Sequence, residues 1–500
     1  MKKILTIILD GFGMREDIYG NAIKNAGMNN FINIWNKYPH CLLKSSGKAI
    51  GLPDGQCGDS SLGHKILGAG RNVGNRLSVV NDELKKDKVK NNIKYKEMLN
   101  LLNNNKKNLH ICSLLSDGGV SSHIEHLKFF LNNLHENHPN ITIYLHLISD
   151  GRDSNKYSVL KYLNEITPFI KDNIHLASLC GRYYALDNTE DFSRTEMYYD
   201  LLVNEKGVDS SDLSRIINKC YEKKISDEYL PPLKMIEYTS VKNEDVLLLL
   251  NFSKSNQKQL LDCLIKKDFE HFITHKELNI NVYSLYEIDE KLNDNYFFED
   301  EEIKHNLCYY LAELGLSQAR ITESIKKEEM TYFLDGCSDK QLNNCDLYIV
   351  DSPKVDSFDM KPEMNALTIA KTIIKCMEKD YDFIIANFAN PDEIGHTGNY
   401  HATINGLQAV DVCLGKILEV AEENFYKVIV TSGHAKADTI IDKDNNIVTK
   451  NTTSPVPFVI LDKKLKLKNG NISMIAPTIL KYMDIALPKE MKETEMLFEE

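Results

Sequence analysis

Gly51-Leu-Pro-Asp-Gly-Gln-Cys-Gly-Asp-Ser-Ser-Leu-Gly-His64, continued by Ile66-Leu-Gly-Ala-Gly-Arg71, is the stretch on which the fold assignment turns. Its glycines allow a tight backbone that a Cβ would obstruct, a setting suited to holding one hydroxyl up to a reacting phosphorus. Ser60 or Ser61 supplies that hydroxyl, with His64 one helical turn beyond. Taken alone, a Gly/Ser-rich segment is more often a plain loop. Its company lifts it. Ahead lies the apolar run Ile4-Leu-Thr-Ile-Ile-Leu-Asp-Gly11, and far behind lie Asn390-Pro-Asp-Glu-Ile-Gly-His396 and Thr431-Ser-Gly-His434. Asp10, Asp392, His396 and His434 all fall just past apolar runs, which brings them to one edge of a parallel sheet, where ligands gather. Asp392 and His396 are four residues apart, within reach of one metal ion. Singly, each has a plainer meaning: Asp10-Gly11 is a turn, and a lone histidine is a partnered boundary residue.

At 500 residues the chain is too long for one ordinary core, and two domains are the default. An apolar share of 42% and a charged share of 26% are those of a globular protein. The formal charge of −12 argues against a nucleic-acid binder. The N-terminal apolar run is too short for a signal peptide and ends at Asp10. No segment approaches the ~20 apolar residues that span a bilayer. The eleven cysteines are scattered and never in C-x-x-C spacing, which reads as reduced thiols of a cytoplasmic protein.

A change of pattern near residue 80 marks a second α/β unit. Its strands are expected at Asn108–Leu115, Ile141–Ile148, Ile174–Leu179 and Asp245–Asn251, with a helix from Ser122. The acidic, Asn-rich Glu287–Lys304 reads as the return linker. Beyond it the pattern predicts helices over Leu311–Ile325, Met360–Lys375 and Ile479–Met483, and strands over Cys345–Val350, Tyr381–Ala386 and Phe425–Thr431. The first domain is therefore discontinuous, 1–76 plus 305–500, with an 80–303 domain inserted in it.

In this register the motifs resemble the cofactor-independent phosphoglycerate mutases, in the alkaline-phosphatase-like group of metalloenzymes. The resemblance implies an α/β fold in which a phosphatase-like metal-binding domain is interrupted by a substrate-binding transferase domain. It implies two Mn2+ ions that activate Ser60 to carry a phosphoryl group between the hydroxyls of a glycerate, through a phosphoserine. Asp10, Ser60 and His434 would serve one ion, and Asp392 and His396 the other. The substrate positions it implies are Arg152, Asp153 as acid/base, Arg182, and Lys354 from the outer domain. The partner would be a small phosphorylated acid, bound by a cytoplasmic monomer without nucleic acid or membrane.

The chain also departs from the family pattern. Where the family has Ala-Asp-His-Gly-Asn, this chain has Ser432-Gly433-His434-Ala-Lys436; where it has His-Thr-Thr, this chain has Asn451-Thr-Thr. Each ion thereby loses a ligand, which predicts weak or single-metal binding, or none. Ser61 replaces a Glu. In the glycerate site Ser253 and Asn256 stand for two arginines, Asn188 for a third, and Ser121 for an imidazole. Each charged hydrogen bond to a buried anion is worth ~1.5–3 kcal/mol, so affinity falls by several orders of magnitude. Asp59 or Asp438 are candidate substitute ligands, and Lys254 or Lys258 candidate substitute cations. Three readings follow: a phosphoglycerate mutase interconverting 2- and 3-phosphoglycerate in glycolysis; a degenerate paralogue with a regulatory or binding role; and a metal-dependent phosphatase on another substrate.

Overall fold

A computed structural model of the chain describes residues 2–292 and 294–498. It divides into two units, Met1–Asn75 with Glu301–Glu500, and Arg76–Asp300. The changes of unit therefore fall at 75/76 and 300/301, within a few residues of the boundaries expected from sequence. The outermost residues of the expected outer domain, Met1 and 499–500, lie outside the described residues.

The chain opens with β1 (Ile4–Leu9), buried at every position, as a strand covered on both faces must be. β2 (His40–Lys44) alternates buried and exposed, as a one-faced strand does. Helix α1 (Ser60–Ala69) follows the Gly-rich turn, with Asp59 as its N-cap accepting from Leu62 N–H.

The middle unit runs β3 (Leu109–Leu115), α2 (Ile124–Asn137), β4 (Ile143–Ser149), β5 (Ile174–Gly181), α3 (Phe192–Asn204), β6 (Val208–Ser210) and β7 (Leu233–Met235). It ends with β8 (Val246–Leu249), α4 (Ser255–Ile265), β9 (Asn281–Tyr286) and β10 (Tyr296–Phe298). Its sheet has the order β10-β9-β8-β3-β4-β5-β7-β6, parallel except where β7 meets β5. Tyr198, Leu201, Leu202, Leu260 and Leu261 from α3 and α4 pack on Cys112, Leu114, Leu247 and Leu249 of the sheet.

The chain then returns through α5 (Leu307–Glu313), β11 (Gln318–Glu323), β12 (Cys345–Val350), α6 (Ala366–Glu378), β13 (Phe383–Phe388) and α7 (Asn390–His396). The 24-residue α8 (Tyr400–Glu423) leads to β14 (Lys427–Thr431), β15 (Val456–Ile460) and β16 (Gly470–Asn471). The outer sheet has the order β12-β11-β13-β1-β14-β15-β2-β16, and only β15 runs against its neighbours. Ile369 and Ile373 of α6 and Leu407, Val410 and Leu414 of α8 cover Leu5, Ile7 and Leu9. Each such side chain contributes about 1.5–3 kcal/mol by leaving water.

Three expected elements differ in the structure. Leu311–Ile325 is not one helix: α5 stops at Glu313, and Gly315 turns the chain at φ +76, so that Gln318–Glu323 enters the sheet as β11. Leu311, Leu314, Ile321 and Ile325 keep a roughly helical spacing across that break, which is why the pattern misleads. The acidic stretch Glu287–Lys304 is more than a linker, because Tyr296–Phe298 pairs with β9; its Asn293 lies outside the described residues. The helix expected from Met360 begins at Ala366.

Candidate active site

β1 lies between β13 and β14, all parallel, so the residues after their carboxyl ends meet. Asp10 follows β1, α7 with Asp392, Glu393 and His396 follows β13, and Ser432–His434 follows β14. Gly11 permits the approach: at φ +74, a Cβ there would lie 2.8 Å from Asp392 Cα. Ser60, the first residue of α1, donates its hydroxyl to Asp10 Oδ2 at 2.7 Å. His434 stands between two acids, its Nε2 2.8 Å from Asp392 Oδ1 and its Nδ1 3.3 Å from Asp10 Oδ1. His396 gives Nδ1–H to the Thr449 carbonyl (2.7 Å), which turns its Nε2 to Asp392 Oδ1 at 3.3 Å.

One more side chain completes the cluster. Lys326, in the turn after β11, is 4% exposed, and its ammonium lies 3.2 Å from Asp10, 2.9 Å from Glu393 and in contact with Asp392. The electrostatics follow from these pairs. Burial pulls His434 down, but Asp392 and Asp10 outweigh it and hold the imidazole charged, with a pKa pushed up to about 10. Burial would raise Asp10 and Asp392, but Lys326 and His434 hold both below the ordinary carboxylate range. Lys326 is raised against its burial by Asp392, Glu393 and Asp10. Glu329 accepts from Ser61 Oγ at 3.2 Å, and burial pushes its carboxyl up to about 8.

The middle unit has its own acidic turn. Arg182, just past β5, gives Nη1 to Asp150 (2.6 Å) and Asp153 (2.7 Å). Asp150 also takes Ser116 Oγ (2.6 Å) and the amides of Arg152 and Asp153. Burial lowers Arg182, but Asp153 and Asp150 raise it further. Partial burial raises the carboxyl of half-buried Glu228, against Arg152 and Arg182. Ser121, also buried, has Asn256 Nδ2 3.4 Å from its hydroxyl.

Residues 2–487 match the model of the Metalloenzyme superfamily. The 2,3-bisphosphoglycerate-independent phosphoglycerate mutase of Mycoplasma mobile is 37% identical over 501 residues, covering 99% of this chain and 98% of that protein. Its counterpart from Gracilaria tenuistipitata is 35% identical over 506 residues, covering 99% and 98%. The chain belongs to the 2,3-bisphosphoglycerate-independent phosphoglycerate mutase family. Phosphoglycerate mutase of Leishmania mexicana, solved at low cobalt concentration, superposes with a TM-score of 0.93 over 100% of this chain and 98% of that one. At 23% identity that match speaks for the mutase fold alone.

The mutase resemblance asks for two divalent ions, and the donors here do not fit them. Gly433 offers no side chain; a Cβ built there would come 3.2 Å from Gly63 Cα, so the turn lies backbone against backbone on α1. Asn451 gives Nδ2 to the Gly58 carbonyl at 3.1 Å, leaving a buried, unpartnered amide oxygen, a weak donor for such ions. Among the described residues no group of three His, Cys, Asp or Glu could hold a metal ion. Of the candidate substitutes, Asp59 caps α1, and Asp438 accepts from Thr439, Thr452 and Ser454. Lys258 pairs with Asp289.

Asp10, Ser60, Asp392, His396 and His434 thus come together as expected from sequence, and so do Asp153 and Arg182, with Arg152 in the same turn. Lys354 does not join the outer cluster; it is exposed after the edge strand β12, and the buried lysine is Lys326. Asn188 is exposed, while its neighbour Asp187 engages Arg194. Sequence reasoning missed Lys326 and Glu329 because it ran a helix through the strand that precedes them.

Proposed function

We propose that this protein is a catalytically degenerate member of the mutase family, keeping the frame but not the phosphoryl exchange. The observation that carries this is the neighbourhood of Ser60. Its hydroxyl proton points at Asp10, a carboxylate held below its ordinary pKa and therefore a poor base. The residues that would anchor activating ions are replaced by Gly433 and Asn451. A phosphoryl group at Ser60 would meet Lys326 and His434 already engaged by three carboxylates.

In the middle unit Arg182 is engaged by its own acids, and the arginines expected at 188, 253 and 256 are absent. That supports weak binding of a phosphorylated acid there, with Arg152 and Arg182 as its anchors and Asp153 beside them. No helix among the described residues is long and apolar enough to cross a membrane. The net charge of −12 speaks against a nucleic-acid partner, and the role that fits is regulation or binding by a cytoplasmic monomer.

The test is a mutase assay with 3-phosphoglycerate and saturating Mn2+, run on the natural chain and on Ser60→Ala. The expected result is one background rate for both. Turnover by the natural chain that disappears in Ser60→Ala overturns the reading and restores the glycolytic mutase.

A further inference from the structure

Asp227, in the turn after the helix Leu213–Glu222 of the middle unit, is 1% exposed. Among the described residues no lysine, arginine or histidine pairs with it. An acid buried without a counter-cation is costly, which singles it out.

What it holds is the loop that carries Arg152 and Asp153. Where the loop starts, Ser149 Oγ donates to the Asp227 carbonyl at 2.6 Å. Where it ends, Asp227 N–H donates to the Lys156 carbonyl (3.1 Å), and Asp227 Oδ2 accepts the amides of Ser158 (2.6 Å) and Val159 (2.8 Å). Ser158 does not cap the helix Val159–Ile166 with its own side chain; Asp227 does so in its place. Between the two ends Gly151, at φ +72, lies against the same residue. A Cβ there would come 3.0 Å from Asp227 Cβ and 2.8 Å from Glu228 N. Gly181, just ahead of Arg182, is pressed in the same way on the Glu228 carbonyl.

We propose that Asp227 is the positioning residue of this anion site, the mould that holds Arg152 and Asp153 in their binding places. The inference rests on the reading that the middle unit still binds a phosphorylated acid weakly through Arg152 and Arg182.

The surroundings of the carboxyl give that role a pH signature. Tyr221 donates its hydroxyl to Oδ1 from its helix, and Tyr157 faces the acid from the loop. Glu228, next in the chain, is turned to Arg152 and Arg182, with Asp150 and Asp153 beside them. Burial pushes the Asp227 carboxyl up to about 6, against Tyr221 and the two amides. With the loop open it returns to its ordinary 3.8, so the closed loop binds the proton more tightly. Acid therefore closes the loop, and rising pH loosens it.

The experiment uses the full chain, Asp227→Asn and Asp227→Ala, with sulfate as a probe anion that does not titrate between pH 5 and 7.5. Hydrogen exchange of residues 149–159, corrected for the intrinsic rate, is followed at both pH values, with sulfate affinity from calorimetry beside it. In the natural chain the loop is expected to exchange about tenfold more slowly at pH 5 than at pH 7.5, and sulfate to bind more tightly. Asp227→Asn is neutral and keeps an acceptor for the two amides, so its loop should be slow and its sulfate tight at both. Asp227→Ala should be fast and weak at both, with the rest of the chain still protected.

A natural loop whose exchange ignores pH overturns the inference, as does an Asp227→Ala variant that binds sulfate like the natural chain. If no form binds sulfate while exchange still follows Asp227, the anion reading of the middle unit is what fails, and the positioning role falls with it. Should Asp227→Ala not fold, Asp227→Asn against the natural chain decides, and the same pH response in both overturns the inference.

Discussion

At the ends of β1, β13 and β14, three buried carboxylates share one ammonium and one imidazole. At the ends of β4 and β5, two buried carboxylates share one guanidinium. The departures from the mutase pattern act on these sites in opposite senses. The outer unit lost metal donors, at Gly433 and Asn451, and its remaining acids are balanced by the protein itself. The middle unit lost cations, at Asn188, Ser253 and Asn256, and of its two remaining arginines Arg182 is absorbed by Asp150 and Asp153. Both end nearly neutral and satisfied. A site can thus keep its fold while giving up the uncompensated charge that made it a binding site.

The largest expected effect breaks the balance at each site. Lys326→Met strands three buried carboxylates and Arg182→Met strands two, and removing one partner of a buried ion pair costs about 3–5 kcal/mol. Urea unfolding should place Lys326→Met at or above the top of that range and Arg182→Met near its foot. The reverse order would show that the middle site, not the outer one, is the more deeply neutralised.

Acid and alkali should separate the two units. Burial drives His126, in the middle unit, down to a pKa of about 3. Its native value lies below the unfolded one near 6.5, so as pH falls below 6.5 only the unfolded chain takes up the proton. Stability is then lost at about 1.4 kcal/mol per pH unit down to pH 3. His434 has the opposite sign: with a native value near 10, its contribution is complete below pH 6.5 and is lost as pH rises toward 10.

The one tryptophan, Trp35, belongs to the outer unit and stacks on His40. Its fluorescence should therefore report the alkaline loss, while circular dichroism also sees the acid one. His126→Gln should flatten the acid slope and leave the tryptophan signal unchanged; an unchanged slope would remove His126 from the account. The smallest effect sharpens the middle site: Ser121→Ala gives up only a 3.4 Å contact from Asn256. Its unfolding free energy from urea titration should change by less than about 0.5 kcal/mol, and a larger change would mean that Ser121 still organises the pocket.

The legibility of all this in the sequence was uneven, for physical reasons. Strands such as Ile4–Leu9 and Cys345–Val350 announce themselves by composition and by the acid or turn that follows. The Gly-rich turn before Ser60, the Asp392/His396 spacing and the apolar runs ahead of Asp10 and His434 pointed to five members of the outer cluster. β11 was hidden because its polar residues point inward with private partners. Gln318 donates to the Cys308 carbonyl, Arg320 pairs with Asp335, and Glu323 accepts from Asn365 N–H. Its alternation, Ala319 and Ile321 between polar residues, is too short to stand out against the helical spacing of Leu311, Leu314, Ile321 and Ile325 that runs through it. With it went Lys326, the residue on which the cluster's charge depends. Lys354 entered as a substrate position through the resemblance of Ser352-Pro-Lys354 to the family pattern, and it is exposed after β12.

β1 carries one more consequence, in time rather than in space. Its partners are Phe383–Phe388 and Lys427–Thr431, so β1 has nothing to pair with until some 375 further residues have been made. At ~5–20 residues per second that interval lasts roughly 20–75 s, during which Arg76–Asp300 can complete its own sheet. Throughout it Ile4-Leu-Thr-Ile-Ile-Leu9 is an apolar, unpaired ribbon with Lys2 and Lys3 as its charged flank. Newly made protein is therefore most open to aggregation, and most in need of a chaperone, between synthesis of β2 and synthesis of β13.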